Sequence, residues 1–509
     1  MRFHGFYCTI VFLLAISLIP AAAAPARAAE GTAEAQMLEL IRQARRQPLL
    51  MAEMAGMERS AVLEAAGGRR ILLENGLRPV APNSILAKTA RAHTKNMLAN
   101  NYYDKTAPDG RRPATRITAA GYEALASGEN LGLIGFQNFM PEETAVWEIF
   151  KNMLRDELQS GQSSPWYILN PNYSEVGISI EAGTMSFDEN KSNVYLAACD
   201  FGASRTSVYG AERKLVQRIN ALRHEPEPRL SGANLDYGNF LYLPAPAGGL
   251  LARGAPPVKP SPALFSFARG RQADAESALR DGRLGEAGGI MANNVSRALS
   301  EDYDSAAEVW VALPVGPSAG PDEAIAKLFR HLLEAETNGG INAAGLSSLF
   351  IFNSVYRETG LSYKSISLQN STGGTETVWG LLVCEMARPK ASRHFLAGKV
   401  HRPPTGSLPA HQQPPAAFLN GLLIQVEKIS RPENASPLSA ISFSGPTGGY
   451  ELRIPTAENN NYGYYRLSAH RLDNLSRGPL LYSDVFFYSG KQNMLKNIQL
   501  PTETLLSGP

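Results

Sequence analysis

Between Leu38 and Gly202 the chain carries a fixed order of short motifs that recurs, blurred, over residues 213–387. Leu215–Pro226 repeats the helical stretch Leu38–Pro48 at an offset of 178, with Arg223 on Arg45 and Pro226 on Pro48. Leu328–Glu336 falls on Ile149–Glu157 at an offset of 179. Ile351, Phe352, Asn353, Tyr356, Glu358, Gly360 and Ser362 fall on Ile168, Leu169, Asn170, Tyr173, Glu175, Gly177 and Ser179 at an offset of 183. Cys384-Glu385 falls on Cys199-Asp200 at an offset of 185. An unchanged block order, with an offset drifting only by small insertions, is what a tandem duplication leaves behind. The expectation is one kind of unit built twice, with residues 213–387 superposing on 38–202.

Within each unit, helices near Leu38, Leu86 and Val146 carry apolar residues at roughly helical spacing. Val176–Ile180 and Val194–Ala198 are short, apolar and rich in β-formers. Helices segregated around a short antiparallel sheet predict an α/β/α layered sandwich, an α+β arrangement. A chain of 509 residues has room for about three domains at ~150 residues each. Pro244–Pro262 reads as an insertion loop in the second unit, and Arg402–Ala416 as a linker stiffened by proline. From Phe418 onward, short alternating segments separated by Gly, Asn and Pro predict a small all-β sandwich. The resulting division is a leader at 1–28, units at 30–205 and 206–395, a linker at 396–416 and the sandwich at 417–509.

Arg2, the apolar run Phe6–Pro20 and Ala26-Arg27-Ala28 read as a cleaved secretory leader, which places the mature chain in the periplasm, at the cell surface or outside the cell. The run is shorter than the roughly 20 apolar residues of a membrane helix, and no later segment reaches that length. Loss of the leader removes Arg2 and Arg27 and no acid, leaving 47 basic against 47 acidic residues. That balance lacks the electrostatic footprint of a nucleic-acid or anionic-lipid binder. Cys8 lies in the leader, so only Cys199 and Cys384 remain, too few for a disulfide framework. They occupy equivalent strand positions and are expected to be unbridged and buried.

The sharpest motifs are Gly128-Glu129-Asn130-Leu131 and the run Ile168–Ile178, preceded by the Ala/His/Met helix Leu86–Met97 and the turn Tyr102–Gly110. In that order the set resembles the CAP superfamily (antigen 5, pathogenesis-related 1 and cysteine-rich secretory proteins) in its bacterial, disulfide-poor form. The resemblance is good over 38–202 and faint over 213–387. It implies a cleft lined by two histidines and acidic side chains, which bind zinc in some members. Here the first histidine position holds Lys105 and the second Ser164, whereas Glu129 is retained. The second family acid corresponds to Glu148 or Glu157.

Zinc requires nitrogen, sulfur or carboxylate ligands, which an ammonium and a serine do not replace, so no metal and no cofactor are expected. The candidate cleft comprises Glu129, Asn130, Lys105, Ser164, Glu157, Tyr102 and Tyr103, with no residue assigned as catalytic. Glu129 either pairs with Lys105 across the cleft or, as we prefer, bonds backbone amides within its own turn. His93 has no ligand type at helical spacing and reads as a core histidine. No Gly-x-Ser-x-Gly elbow, phosphate loop or His-Glu-x-x-His helix occurs. Tyr102, Tyr103, Trp147, Trp166 and Tyr167 offer an aromatic rim for an apolar or sugar-like ligand. The expectation is a secreted or envelope-associated binding protein whose partner is a small ligand or another protein. The alternatives are a hydrolase or peptidase using Glu129, which lacks a second secure acid–base group, and an architectural spacer.

Overall fold

The computed structural model describes residues 32–500 except 161–163, 188–189, 236–253, 286–287, 339–348, 370–375, 391–393, 402–418, 430–437, 456–461 and 491. The leader, residues 244–253 of the expected insertion loop and the linker from Arg402 lie outside the described residues.

Helix α1 (Ala33–Arg46) starts where Thr32 accepts a hydrogen bond from the Ala35 amide. Its apolar stripe Met37, Ile41 and Ala44 is buried, and it stops at Gln47 because Pro48 opens α2 (Pro48–Met54). Two short helices, α3 (Arg59–Ala66) and α4 (Arg70–Asn75), lead to strand β1 (Ala81–Pro82). Asn83 caps α5 (Ser84–Asn100) by accepting from the Ile85 and Leu86 amides. After α6 (Pro113–Ala119) come β2 (Ala126–Phe136), α7 (Glu142–Gln159), β3 (Glu175–Phe187) and β4 (Asn190–Ala203). The sheet order is β1-β3-β4-β2, with β1 parallel to β3 and the longer strands antiparallel. Helix α5 covers one face, over β3 and β4, while α1 and α7 cover the other. Mixed helix and sheet in these layers give the expected α+β class.

The next segment has α8 (Val208–His224), α9 (Pro226–Gly232), β5 (Lys259–Pro260), α10 (Pro262–Arg280), β6 (Gly289–Asn294), β7 (Tyr303–Pro314), α11 (Pro321–Thr337), β8 (Glu358–Leu368) and β9 (Thr377–Pro389). Its sheet runs β5-β8-β9-β7-β6, again with the two-residue strand parallel to its neighbour. Buried arginines tie both units in one pattern. Arg45 donates to the carbonyls of Arg78, Ile168, Asn170 and Tyr173, and Arg223 to those of Pro256, Ile351, Asn353 and Tyr356. Gly177 and Gly360 each lie under a helix. A Cβ on Gly177 would enter the Leu86–Ala87 peptide of α5, and one on Gly360 the Leu264–Phe265 peptide of α10.

The remainder consists of β10 (Phe395–His401), β11 (Leu423–Lys428), β12 (Ser439–Phe443), β13 (Gly449–Arg453), β14 (Gly463–Asp473), β15 (Ser476–Tyr488), β16 (Met494–Leu495) and β17 (Ile498–Gln499). One sheet is β13-β10-β16 with β17 also on β10, and the other is β12-β11-β14-β15. Leu396, Val400, Ile424, Val426, Tyr450, Tyr465 and Leu467 fill the core of this sandwich. The stretch read as the start of a linker at 396 is therefore a sandwich strand. Leu396 and Val400 are buried, and that signal was hidden by the prolines that begin at Pro403. Cys199 and Cys384 are free and buried, in the separate cores of the two units. Among the described residues, no helix is long and apolar enough to cross a membrane.

Candidate functional site

The Gly-Glu-Asn motif lies inside strand β2, where side chains alternate between faces. It is not the self-satisfied turn that its glycine and asparagine imply. Asn130 points toward α7, where its amide donates to Glu157 at 3.3 Å. Glu157 is buried and accepts from the backbone amides of Tyr167, Ile168 and Leu169 at 2.9, 2.7 and 3.2 Å. Burial pushes its carboxyl up to about 7, against the opposing pull of those amides and of Lys105. Glu148, the other candidate for this position, pairs instead with Lys151 on the helix surface.

Glu129 points the other way, toward α5, with its side chain wholly buried. Arg116, presented by α6, donates from Nη2 to Glu129 Oε1 at 2.6 Å, and His93 Nδ1 lies 2.9 Å from the same oxygen. Arg116 Nη2 is also 2.9 Å from His93 Nδ1. A neutral imidazole serves one of these neighbours, donating to the carboxylate or accepting from the guanidinium. Asp200 stands opposite Glu129 in the β2–β4 register and is equally buried. Burial, then the charge of Glu129, raises its carboxyl well above the usual range. The charge of Glu129 thus disfavours a second charge on Asp200, with Arg116 opposing it.

The other expected residues divide around this centre. Lys105 does not pair with Glu129: its ammonium donates to Tyr167 Oη at 2.9 Å and sits 4.2 Å from that ring's centre. The Lys105 carbonyl accepts from Arg116 Nη1 at 2.8 Å, which fastens the turn to the acid centre. Arg116 has displaced Lys105 from Glu129 because a planar guanidinium can bond the carboxylate and the turn together. The Tyr102 ring lies 6.1 Å from the His93 ring, and Tyr103 is half-buried. Ser164 belongs to another neighbourhood. Its carbonyl accepts from Arg69 at 2.8 Å, and Arg69 in turn bonds Asn474 of the sandwich.

Sequence reasoning missed Arg116 and Asp200, and it gave His93 no partner because the partner lies 36 residues away on a strand. One signal for Asp200 was present, the repeated pairs Cys199-Asp200 and Cys384-Glu385. In the second segment Glu308 faces Glu385 across β7 and β9. Arg271 occupies the tenth position of α10, as His93 does of α5. It donates to both oxygens of Glu308 at 3.0 Å.

Zinc does not fit the first centre. Glu129 Oε1 is engaged by the Arg116 guanidinium, so a divalent cation there would meet like charge. Among the described residues, no group of three His, Cys, Asp or Glu side chains is placed to hold a metal.

Residues 38–201 match the family described as the Cysteine-rich secretory protein family, CAP. The Bacillus subtilis (strain 168) protein YkwD, itself uncharacterised, is 28% identical over 114 residues, covering 22% of this chain and 39% of that protein. This chain therefore spans about two fifths of that relative's length. Among solved structures, an extracellular SCP-domain protein of Bacillus anthracis str. Ames is 17% identical, with 29% of this chain and 42% of that chain covered, at a TM-score of 0.18. An outer surface protein of Borrelia burgdorferi is 16% identical, with 28% and 87% covered, also at 0.18.

Proposed function

The protein carries a bacterial CAP-superfamily domain at residues 38–201, and on that premise we propose that it is a secreted or surface-held binding protein, not an enzyme. The observation that carries this reading is the state of Glu129. The acid that a catalytic cleft would have to expose is wholly buried and held by Arg116 and His93. Glu157, though raised to about 7, is consumed in capping three backbone amides, as Glu336 caps those of Phe350, Ile351 and Phe352. The rim offers Tyr102, Tyr103, Lys105 and Tyr167, all half-buried. Phenol faces beside an ammonium suit a glycan, which stacks on rings and accepts hydrogen bonds. The leader-like first 28 residues support export.

We further infer that residues 206–395 are a degenerate second copy. The common strand order, the matching carbonyl sets of Arg45 and Arg223, and the paired acids on equivalent strands support it.

The test compares the natural protein with Glu129→Gln. Ester and peptide substrates should remain uncut by both. The variant should lose about 3 kcal/mol of stability, because it strands a buried guanidinium. Hydrolysis by the natural protein that Glu129→Gln abolishes without a change in melting temperature would restore the hydrolase reading. Soluble cell-wall glycan fragments should be retained on the immobilised protein and lose about tenfold in affinity with Lys105→Ala plus Tyr102→Ala; retention unchanged by that pair would remove the rim from the proposal.

A further inference from the structure

A groove of about 480 Å³ runs between the second segment and the sandwich, with α8 as one wall and β10 as the other. Its charged lining is Arg213, Lys214, Arg218 and Arg229 from one side, Lys399 from the other, and a single acid, Glu451. Glu451 is already committed, to Arg213 at 2.7 Å and Arg78 at 3.2 Å. Lys214 pairs with Asp322, and Arg229 with Glu225 at 3.4 Å. Arg218 and Lys399 have no acidic partner among the described residues, and both side chains are exposed.

Folding therefore brings together cations from two domains and, among the described residues, leaves Arg218 and Lys399 without an acidic partner. Lys214 and Arg218 stand one turn apart on the same face of α8, a repulsive spacing. Lys399 senses the field: although much of its surface is exposed, partial desolvation at the groove wall, then Arg205, Lys214 and Arg218, press its ammonium pKa down. The floor is apolar and tightly built, since Ala397 and Tyr450 are buried and Gly398 abuts the Lys496 carbonyl. A low-dielectric floor between walls of mainly one sign focuses the potential and concentrates ions of the opposite sign.

We propose that this groove binds an anionic chain carrying two or more phosphate or carboxylate groups, seated between Arg218 and Lys399. The ligand would bridge the second segment to the sandwich and lock their docking. The site shares no residue with the Glu129 centre, so the proposal goes beyond the rim reading and does not depend on it.

Isothermal titration of the full-length protein at low ionic strength tests it with inorganic tripolyphosphate and an oligoglutamate as probes, and with monophosphate for comparison. Binding of tripolyphosphate, oligoglutamate or both, much tighter than monophosphate and weakening with added salt, is the expected result. The two chains tell a phosphate polymer from a carboxylate polymer. Arg218→Glu with Lys399→Glu should weaken binding by about tenfold or more, while Arg283→Glu, an exposed arginine elsewhere, leaves it unchanged. Both charge variants should melt as the natural protein does when no probe is present. Glu129→Gln should keep full probe affinity, so the two proposals fail separately. Absence of binding by either chain, or equal loss with Arg283→Glu, would overturn the groove as a site.

Discussion

Glu308 and Glu385 share a buried face of the second sheet with Arg271, and only Glu308 is neutralised by it. Burial, the hydrogen bond to Glu308 and the charge of Glu308 push Glu385 up to about 11, with Arg271 opposing them. Its folded-state pKa lies above the unfolded value, so its contribution to stability is fully present below about pH 4.5. That contribution declines as pH rises toward 11, by about 1.4 kcal/mol per unit at most. Glu157, Glu212 and Glu336, raised to about 7, act with the same sign over a narrower window. The natural protein should therefore melt lower at pH 9 than at pH 6. Glu385→Gln should flatten the alkaline part of that profile, which scanning calorimetry across pH can check. The proton-holding residue was invisible because cross-strand pairing, and not sequence neighbourhood, sets its environment.

At the scale of elements, the close approach of α5 to β3 depends on Gly177, and that of α10 to β8 on Gly360. Either glycine replaced by alanine puts a methyl into helix backbone, which has no rotamer by which to yield. Gly177→Ala and Gly360→Ala should each cost about 3 kcal/mol, read as a lower urea midpoint. Gly270 is the internal contrast. It sits within α10 with nothing near its missing Cβ, so Gly270→Ala should stabilise by roughly 0.5–1 kcal/mol through helix propensity. The ends of the first helix and of its repeat were legible from Pro48 and Pro226. The strand character of Gly128–Leu131 was not, because glycine and asparagine suit a turn locally and only pairing with β4 holds them extended.

Across the whole molecule, the sandwich is docked by more than surface contact. Leu423 and Phe443 enter the core of the first unit. Glu451 joins Arg78 of that unit to Arg213 of the next. Burial pushes the Glu451 carboxyl up, but Arg213 and Arg78 overcome it and hold the group below its usual range. Glu451→Gln leaves both arginines without a counter-charge at the junction. It should cost about 3–5 kcal/mol of docking and split one melting transition into two. A single unshifted transition would mean that apolar docking alone holds the three parts together.

The order of motifs along the chain determined the layered α+β unit, its resemblance to the CAP family and the β-sandwich that follows, because periodicity, caps and turn residues act over a few neighbours. Tertiary structure decided what surrounds Glu129. A buried carboxylate takes the nearest strong donors, and here these are Arg116 from a short helix and His93 from the opposite layer. The same holds for Asp200, and for a groove whose Arg218 and Lys399 lie 181 residues apart in the chain. Desolvation and Coulomb energies depend on distance in space, and that distance exists only once the layers have packed.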